Sequence, residues 1–319
     1  MNTLNRLAQV NQIISVGSGD GVATTAGFNA WMGRAVPVVF TQAFDVDKID
    51  ISGWEKNRQV LFIDLAVNNQ NQNMTAEFVQ KIQAAGHTIV AIIDEHDAQA
   101  WQQVLGETWD TLAVQPVTQK TGPIKSSGAL LKSVLGTEMT EHVAELFDAA
   151  DAADRFDFST RFGQMINQAV KSKITDNKRR VHLAEWLAFN SEPDQMILGW
   201  IQEYEKILEN HAAIIKEATW VVQGTIIRVN TTDVVFDMSG LTAELYRMAP
   251  IVIMEAKAFH KPAGGQMPMV AVMTNRKDLD LLAALTDVEG VELLGGFASK
   301  ANVTPASEAA ATEVVKKLI

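Results

Sequence analysis

The stretch IISVGSGDGVATTAG, residues 13–27, indicates the fold of the N-terminal half of the chain. A short β-branched run ends at a Gly-rich turn that holds one carboxylate, Asp20, and an Ala/Thr-rich segment then opens a helix. In an open α/β sheet such a turn lies at the carboxyl end of the strand, where ligands bind. Its free backbone N–H groups suit an anion such as phosphate.

The same pattern of a strand followed by an acid occurs twice more. VLFID ends at Asp64, and TIVAIIDEHD ends on Asp94, Glu95, His96 and Asp97. Carboxylates with an imidazole and no sulfur favour a hard divalent ion such as Mn²⁺ or Mg²⁺, which polarises phosphoryl oxygens. Each acid taken alone is more simply explained as a helix cap or a solvated loop residue. Their joint occurrence at three strand ends predicts a metal site that acts on a phosphoester.

Composition sets the outer bounds on function. The 319 residues, 47% hydrophobic and 20% charged, suffice for two globular domains. The absence of cysteine excludes disulfides, thiolate metal sites and cysteine nucleophiles. A net charge of −11 argues against binding of long nucleic acid, which requires a basic surface. The polar N-terminus and the lack of any apolar run of about 18 residues predict a cytoplasmic protein that makes no membrane contact.

Strand and helix patterns alternate in the first half, which predicts an α/β domain with a mostly parallel sheet. Strands are predicted at 37–40, 60–64, 88–93 and 111–114, and helices at 23–31, 75–85, 97–105 and 129–134. From residue 138 the pattern becomes helical and ends in one long amphipathic helix, with apolar positions from Ile197 to Ile215. We place the domain junction at this helix.

A β pattern returns after this helix and predicts a second, smaller α/β domain. Strands are predicted at 220–229, 251–255 and 269–274, and helices at 241–247, 279–285 and 305–319. Near the end, Gly295 and Gly296 would permit a close backbone approach to a ligand. The predicted organisation is therefore a first domain at 1–190, a connecting helix at 191–218 and a second domain at 219–319.

Two common phosphate-binding motifs do not match the first turn. Counted from Gly17, the third glycine of a G-x-G-x-x-G fingerprint would fall on Val22, and counted from Gly19 it would fall on Thr24. The second predicted strand does not end in the acid that binds ribose in dinucleotide enzymes. No G-K-[ST] of a P-loop follows the turn. Nicotinamide, flavin and P-loop nucleotide binding are therefore disfavoured.

The order and spacing of these elements resemble the DHH phosphoesterases, which include RecJ-type exonucleases, nano-RNases, cyclic dinucleotide phosphodiesterases and manganese pyrophosphatases. In that family the first strand ends in H-x-D-x-D-G, the third in a bridging Asp and the fourth in D-H-H. Asp20 and Asp64 match, but Val16 and Ser18 replace the His and the first Asp of the first motif. D-H-H is present as D-E-H, with Glu95 in place of the first His.

The resemblance covers nearly the whole chain. A later family Asp that completes the metal site corresponds to either Asp151 or Asp154 in LFDAADAADRF. The family's Gly-Gly-His substrate loop is represented by Gly295 and Gly296, followed by a phenylalanine. Arg276 corresponds to a family arginine that contacts the substrate. These three are the substrate-binding residues that the resemblance implies.

The substitutions within these motifs would empty one of the family's two metal positions. The remaining acids, Asp20, Asp64, Glu95 and an Asp at 151 or 154, would hold one Mn²⁺ or Mg²⁺ through oxygen atoms alone. His96 would act as a general acid or orient the phosphate.

The resemblance thus implies hydrolysis of a short oligonucleotide, a cyclic dinucleotide or another small phosphoester in a cleft between the domains. It also allows a homodimer. The alternative is a degenerate family member that binds a nucleotide or a protein partner without turnover.

Overall fold

The structure is a computed structural model that describes residues 2–68, 71–118, 124–155, 157–260 and 265–319, with the side chains of 258–260 and 265–266 outside the description. The chain divides into two compact units, Met1–Gln202 and Glu203–Ile319. Within the described ranges, no helix combines the length and the apolar composition that a bilayer span requires.

The first unit is built around a four-stranded, fully parallel sheet in the order β2-β1-β3-β4. Its strands are β1 Gln12–Val16, β2 Val38–Thr41, β3 Gln59–Ile63 and β4 Thr88–Ile93. Its helices are α1 Thr3–Leu7, α2 Gly19–Met32, α3 Gln72–Ala84, α4 Ala98–Leu105, α5 Ser127–Leu135, α6 Glu141–Asp154, α7 Arg161–Lys171 and α8 Asn177–Phe189. The predicted α/β class with a mostly parallel sheet is confirmed.

Both faces of this sheet are covered, because successive strand residues point to opposite sides. Ile14 and Phe62 face a core that α3 and α4 complete with Phe78 and Trp101. Ile13, Leu61 and Ile63 face a second core, to which α2, α5 and α6 contribute Phe28, Leu131 and Phe147.

A helical segment links the sheet of the first unit to the second, as predicted. It consists of α6, α7, α8 and α9 Gln195–Lys216, and the boundary between the compact units falls inside α9. The residue boundaries predicted for the domains remain predictions.

The second unit contains a six-stranded mixed sheet in the order β5-β6-β7-β8-β10-β9. Its strands are β5 Thr219–Val222, β6 Ile226–Asn230, β7 Ile251–His260, β8 Gly265–Thr274, β9 Leu293–Phe297 and β10 Lys300–Val303. Its helices are α10 Met238–Tyr246, α11 Leu281–Leu285 and α12 Glu308–Lys316. β6 and β7 are parallel and the other neighbouring pairs are antiparallel, which confirms a second α/β unit.

Three element predictions are wrong. Helix α2 begins at Gly19 instead of residue 23, because Ser18 caps it and accepts a hydrogen bond from the Gly21 N–H at 3.2 Å. Residues 111–114 form no regular strand: a 3₁₀-helix extends through Thr111, and Ala113 and Val114 make two backbone hydrogen bonds with β4, at 2.7 and 3.1 Å. The predicted strand at 220–229 is an antiparallel hairpin that turns at Gly224, where φ is +70°.

Candidate metal centre

Three acid-bearing loops meet at one edge of the parallel sheet. β3 lies between β1 and β4, so the carboxyl ends of these three strands are neighbours. The residues that follow them are the Gly-Ser-Gly-Asp turn, Asp64, and the D-E-H segment. The sheet therefore brings together acids that are widely separated in the sequence, in the region where open α/β sheets bind ligands.

Asp20 lies in the first turn of α2, where the helix dipole favours a negative charge. Its side chain is 9% exposed. The neighbouring Gly21 is required sterically, because a Cβ there would lie 2.2 Å from the Val16 carbonyl oxygen. Ser18, which caps the helix, also donates its hydroxyl to Asp64 Oδ2 at 2.9 Å. The first loop thus supplies a buried carboxylate and a hydroxyl donor to the second loop.

Asp64 has a left-handed backbone, with φ of +55°, directly after β3. Its N–H donates to the Ile93 carbonyl at 2.8 Å, which continues the pairing with β4 through the turn. Burial and the nearby carboxylates of Asp20 and Glu95 raise the pKa of Asp64 well above its usual range. A left-handed aspartate at a strand end is uncommon and often marks a functional position.

Glu95 is the most unusual residue of the site. It is 1% exposed, and neither carboxylate oxygen has a hydrogen-bond partner. His96 Nδ1 lies 3.6 Å from Oε1, beyond hydrogen-bond distance. Burial, followed by repulsion from Asp94, raises the pKa of Glu95 to about 8, while His96 partly offsets this. An unsatisfied buried carboxylate is strongly unfavourable unless a cation or a proton neutralises it.

Asp94 and His96 form a separate pair beside Glu95. Asp94 is fully buried and accepts hydrogen bonds from the Trp101 indole at 3.0 Å and from His96 Nδ1 at 2.8 Å. Because a carboxylate only accepts, Nδ1 carries a proton and Nε2 is directed away from Asp94. The hydrogen bond to Asp94 raises the pKa of His96 to about 9 despite partial burial. The imidazole is 49% exposed and is positioned as a cationic, accessible group.

The two aspartates that the sequence left as alternatives have different surroundings. Asp154 is close to two other acids: it, Asp20 and Glu95 each have one carboxylate oxygen within 4.8 Å of the other two. Burial and the Asp20 charge raise the pKa of Asp154. Asp151 instead accepts hydrogen bonds from Ser126, at 2.6 Å, and from Arg155. Burial opposes ionisation of Asp151, but these two partners outweigh it and lower the pKa.

The site as a whole is an acidic cavity of about 370 Å³ lined by Asp20, Asp64, His96 and Asp154. A second group of potential ligand atoms, from Asp64, Asp94, Glu95 and His96, also fits within 4.8 Å, so Glu95 belongs to both groups. Oxygen donors at this spacing could hold a hard divalent cation.

The two glycines proposed as a substrate loop of the second unit lie in a strand, whereas Arg276 lies in the segment after β8. Gly295 and Gly296 lie in β9, an edge strand paired with β10. Their φ values are +121° and +154°, and a Cβ on Gly296 would lie 2.1 Å from the Lys300 carbonyl oxygen. Strand pairing therefore explains Gly296 without a ligand. Arg276 donates to Asp278 through Nε at 3.1 Å and Nη2 at 2.5 Å. Their binding role remains a prediction.

Sequence reasoning missed three residues that organise the site. The motif comparison treats Ser18 only as a lost ligand, yet it bonds to Asp64. Trp101 lies seven positions after Asp94, on α4, and its indole N–H donates a hydrogen bond to the Asp94 carboxylate. Arg180, on α8, donates to the Gly17 carbonyl at 2.6 Å. No local sequence signal marks Arg180, because its partner is far away in the chain.

No protein-family model and no curated protein matches this sequence. Solved structures do match. The pGpG-specific phosphodiesterase PggH from Vibrio cholerae is similar over 97% of this chain and 99% of its own, at 13% identity and a TM-score of 0.59. RecJ from Thermus thermophilus in complex with Mn²⁺ is similar over 96% of this chain and 52% of its own, at 12% identity and a TM-score of 0.56.

A third structure, the DHH domain of a member of a family of ribosomal proteins, is similar over 99% of this chain and 88% of its own, at 12% identity and a TM-score of 0.56. At this identity the likeness concerns the fold. The resemblance recognised from the strand-end acids is confirmed at that level, and the chain has the DHH-domain fold.

Proposed function

We propose that this protein is a divalent-metal-dependent phosphoesterase of the DHH type that acts on short oligonucleotides, cyclic dinucleotides or another small phosphoester. The single observation that carries the proposal is Glu95, a carboxylate 1% exposed with neither oxygen hydrogen-bonded, beside four other acids, Asp20, Asp64, Asp94 and Asp154. Such a cluster is poorly stable without a cation, and its all-oxygen donor set fits Mn²⁺ or Mg²⁺.

Asp20, Asp64, Glu95 and Asp154 would hold the metal, and we propose one ion. Asp151 is the less suitable alternative, because Ser126 and Arg155 already occupy its oxygens. When bound, the ion would supply Lewis-acid polarisation of a phosphoryl oxygen and activation of water.

His96 is suited to act on the phosphate or the leaving group. Asp94 fixes the imidazole through Nδ1, and Trp101 fixes Asp94, so Nε2 of the half-exposed ring has a defined direction. The raised pKa keeps the ring protonated at neutral pH, which suits a general acid or a donor to a phosphoryl oxygen. Asp94 is thus a positioning residue, and His96 is the proposed catalytic residue.

The neighbouring folds support the same reaction class. PggH is a pGpG-specific phosphodiesterase, and RecJ is an exonuclease whose structures contain Mn²⁺. We infer a small phosphoester or short oligonucleotide as the substrate, and the net charge of −11 disfavours long nucleic acid. Gly295, Gly296 and Arg276 are the proposed substrate-binding residues of the second unit.

A degenerate, non-hydrolytic nucleotide- or protein-binding protein is the second candidate. It is favoured by Ser18, which stands where the resembled family has a ligand and which here donates a hydrogen bond to Asp64. This hydroxyl occupies one oxygen of a proposed metal ligand.

Calorimetric titration of the metal-stripped protein with Mn²⁺ tests the proposal. We expect stoichiometric binding in the wild type, loss of binding in Asp64→Asn, and unchanged binding in the control Asp110→Asn, which alters an exposed aspartate outside the cavity. Metal-dependent hydrolysis of pGpG or short RNA by the wild type would support the enzyme. Binding without hydrolysis of any tested substrate would favour the degenerate candidate, and no binding at millimolar Mn²⁺ would refute the metal site.

A further inference from the structure

A second cavity, of about 700 Å³, lies beside the acidic one in the same unit. It is formed by the end of β2, the following 3₁₀-helix Ala43–Lys48 and the start of α8. Gln42 lines both cavities, while Ala43 lines the acidic cavity and Phe44 the second one. Since consecutive Cα atoms are about 3.8 Å apart, the two cavities are immediate neighbours along this segment.

The walls of this cavity combine exposed apolar surface with neutral polar groups. Phe44 is 53% exposed and Ile174 is 57% exposed, although both side chains are strongly apolar. Thr41, Gln42 and Asn177 add hydroxyl and amide groups to the same walls. A flat heteroaromatic ring fits such a surface, because it can stack on the phenyl ring and hydrogen-bond at its edges.

The charges of the cavity disfavour a second metal ion or a polyphosphate chain. At the rim, Lys48 pairs with Asp45 at 2.5 Å. In the wall, Arg180 is 6% exposed and donates to the Gly17 and Ile174 carbonyls and to the Asn177 side chain, all of them neutral acceptors. Asp50 also lines the cavity, so its two acids balance Lys48 and Arg180, and the lining suits the uncharged body of a ligand.

We propose that this Phe44 cavity, the space lined by Phe44, Gln42, Asn177 and Arg180, binds the nucleoside of the substrate whose phosphate is held at the acidic centre. The inference rests on the proposed function and narrows it. The substrate is a nucleotide ester with a base, and a base-free phosphate compound such as pyrophosphate, which is a phosphoanhydride, is a poorer ligand. The volume is within the range of about 300–1,000 Å³ that is usual for small-molecule sites.

The first experiment measures binding directly and needs no turnover. Calorimetry in the presence of Mn²⁺ with GMP and with ribose 5-phosphate compares the wild type with Phe44→Ala, Phe44→Tyr and Phe189→Ala. Phe189 is a matched control, because it is 50% exposed at the end of α8 and lines neither cavity. Base stacking on one aromatic ring predicts about ten-fold weaker GMP binding for Phe44→Ala. Phe44→Tyr should restore it, and ribose 5-phosphate should bind equally to all four proteins.

The second experiment measures KM for pGpG and for pyrophosphate in the presence of Mn²⁺. We expect Phe44→Ala to raise KM about ten-fold for pGpG and to leave the pyrophosphate value unchanged. Equal GMP affinity in Phe44→Ala and Phe189→Ala, or no GMP binding by the wild type, would overturn the inference even if Mn²⁺ and hydrolysis are normal. GMP binding that depends on Phe44, in a protein that neither binds metal nor hydrolyses any substrate, would support nucleoside binding by the Phe44 cavity. The same result would refute the proposed phosphoesterase function.

Discussion

Replacement of Glu95 by glutamine should change how the stability of the metal-free protein depends on pH. In the wild type the carboxyl has a pKa of about 8, against an ordinary value of 4.5. Between these values the folded chain retains a proton that the unfolded chain has released, so the free energy of unfolding falls as pH rises. Glu95→Gln has no such proton and should lack this part of the slope.

The size of the effect follows from the two pKa values. Relative to strongly acidic solution, the wild type loses about 1 kcal/mol at pH 5 and about 3 kcal/mol at pH 7 through Glu95. The buried glutamine amide has its own unsatisfied groups, which destabilise the variant by about 1–3 kcal/mol at every pH. The quantity to measure is therefore the difference in the free energy of unfolding between the wild type and Glu95→Gln. This difference should change by about 2 kcal/mol between pH 5 and pH 7.

Urea unfolding in EDTA, followed by tryptophan fluorescence, measures this quantity. Six of the seven tryptophans lie in the first compact unit, at positions 31, 54, 101, 109, 186 and 200, so the signal reports mainly on the unit that holds the site. The raised pKa of His96 also makes stability fall as pH rises from about 6.5 to about 9. Since His96 is present in both proteins, the difference between them reports mainly on Glu95.

Glu145→Gln is the control, because Glu145 is an exposed residue of α6 that does not line the acidic cavity. Its pH profile should parallel that of the wild type. Mn²⁺ at 100 times its dissociation constant should then stabilise the wild type by about 2.7 kcal/mol and stabilise Glu95→Gln far less. Parallel pH profiles for the wild type and Glu95→Gln would show that the carboxylate is neutralised in some other way and would refute the reasoning.

Three further outcomes follow from the same contacts. Asp154→Asn should weaken Mn²⁺ binding at least about ten-fold by calorimetry, whereas Asp151→Asn should leave it nearly unchanged; the reverse order would assign the ligand to Asp151. Gly17→Ala would place a Cβ 2.5 Å from Nε of the buried Arg180 and should lower the free energy of unfolding in urea by about 1–3 kcal/mol; a change below about 0.5 kcal/mol would show that the guanidinium moves aside. Trp101→Phe removes the indole donor to Asp94 and should lower the free energy of unfolding by about 1–3 kcal/mol. The pH titration of the His96 imidazole, followed by NMR, should also change. An unchanged His96 titration would argue against the positioning role.

The overall fold could be predicted from the sequence because its signals are local. Apolar runs followed by acids identified β3 and β4 and the residues after them, and the alternation with helices implied a parallel sheet. The predictions failed where a cap or a turn overrides the apolar pattern. Ser18 starts α2 four residues early, and the Gly224 turn divides a continuous β-branched run into a hairpin.

The candidate site could be predicted only in part, because its chemistry depends on which side chains meet. The sequence identified Asp20, Asp64 and Glu95 as acids at strand ends. It did not choose between Asp151 and Asp154, which lie three positions apart on α6. Asp151 accepts hydrogen bonds from Ser126 and Arg155, whereas Asp154 lies close to Asp20 and Glu95. These partners come from other elements, so no pattern within the motif could have revealed them.

The order of the elements, the two-unit α/β organisation and the oxygen-rich donor set follow from the amino-acid sequence alone, because backbone propensity and residue type are local properties. The packing of distant segments buries Glu95 without a hydrogen-bond partner and lets Trp101 and Asp94 orient His96. It also places Phe44 and Arg180 at a cavity next to the acids. Burial and the raised pKa values arise from the solvent that other segments exclude and the charges they bring near, so they exist only once distant parts of the chain pack together.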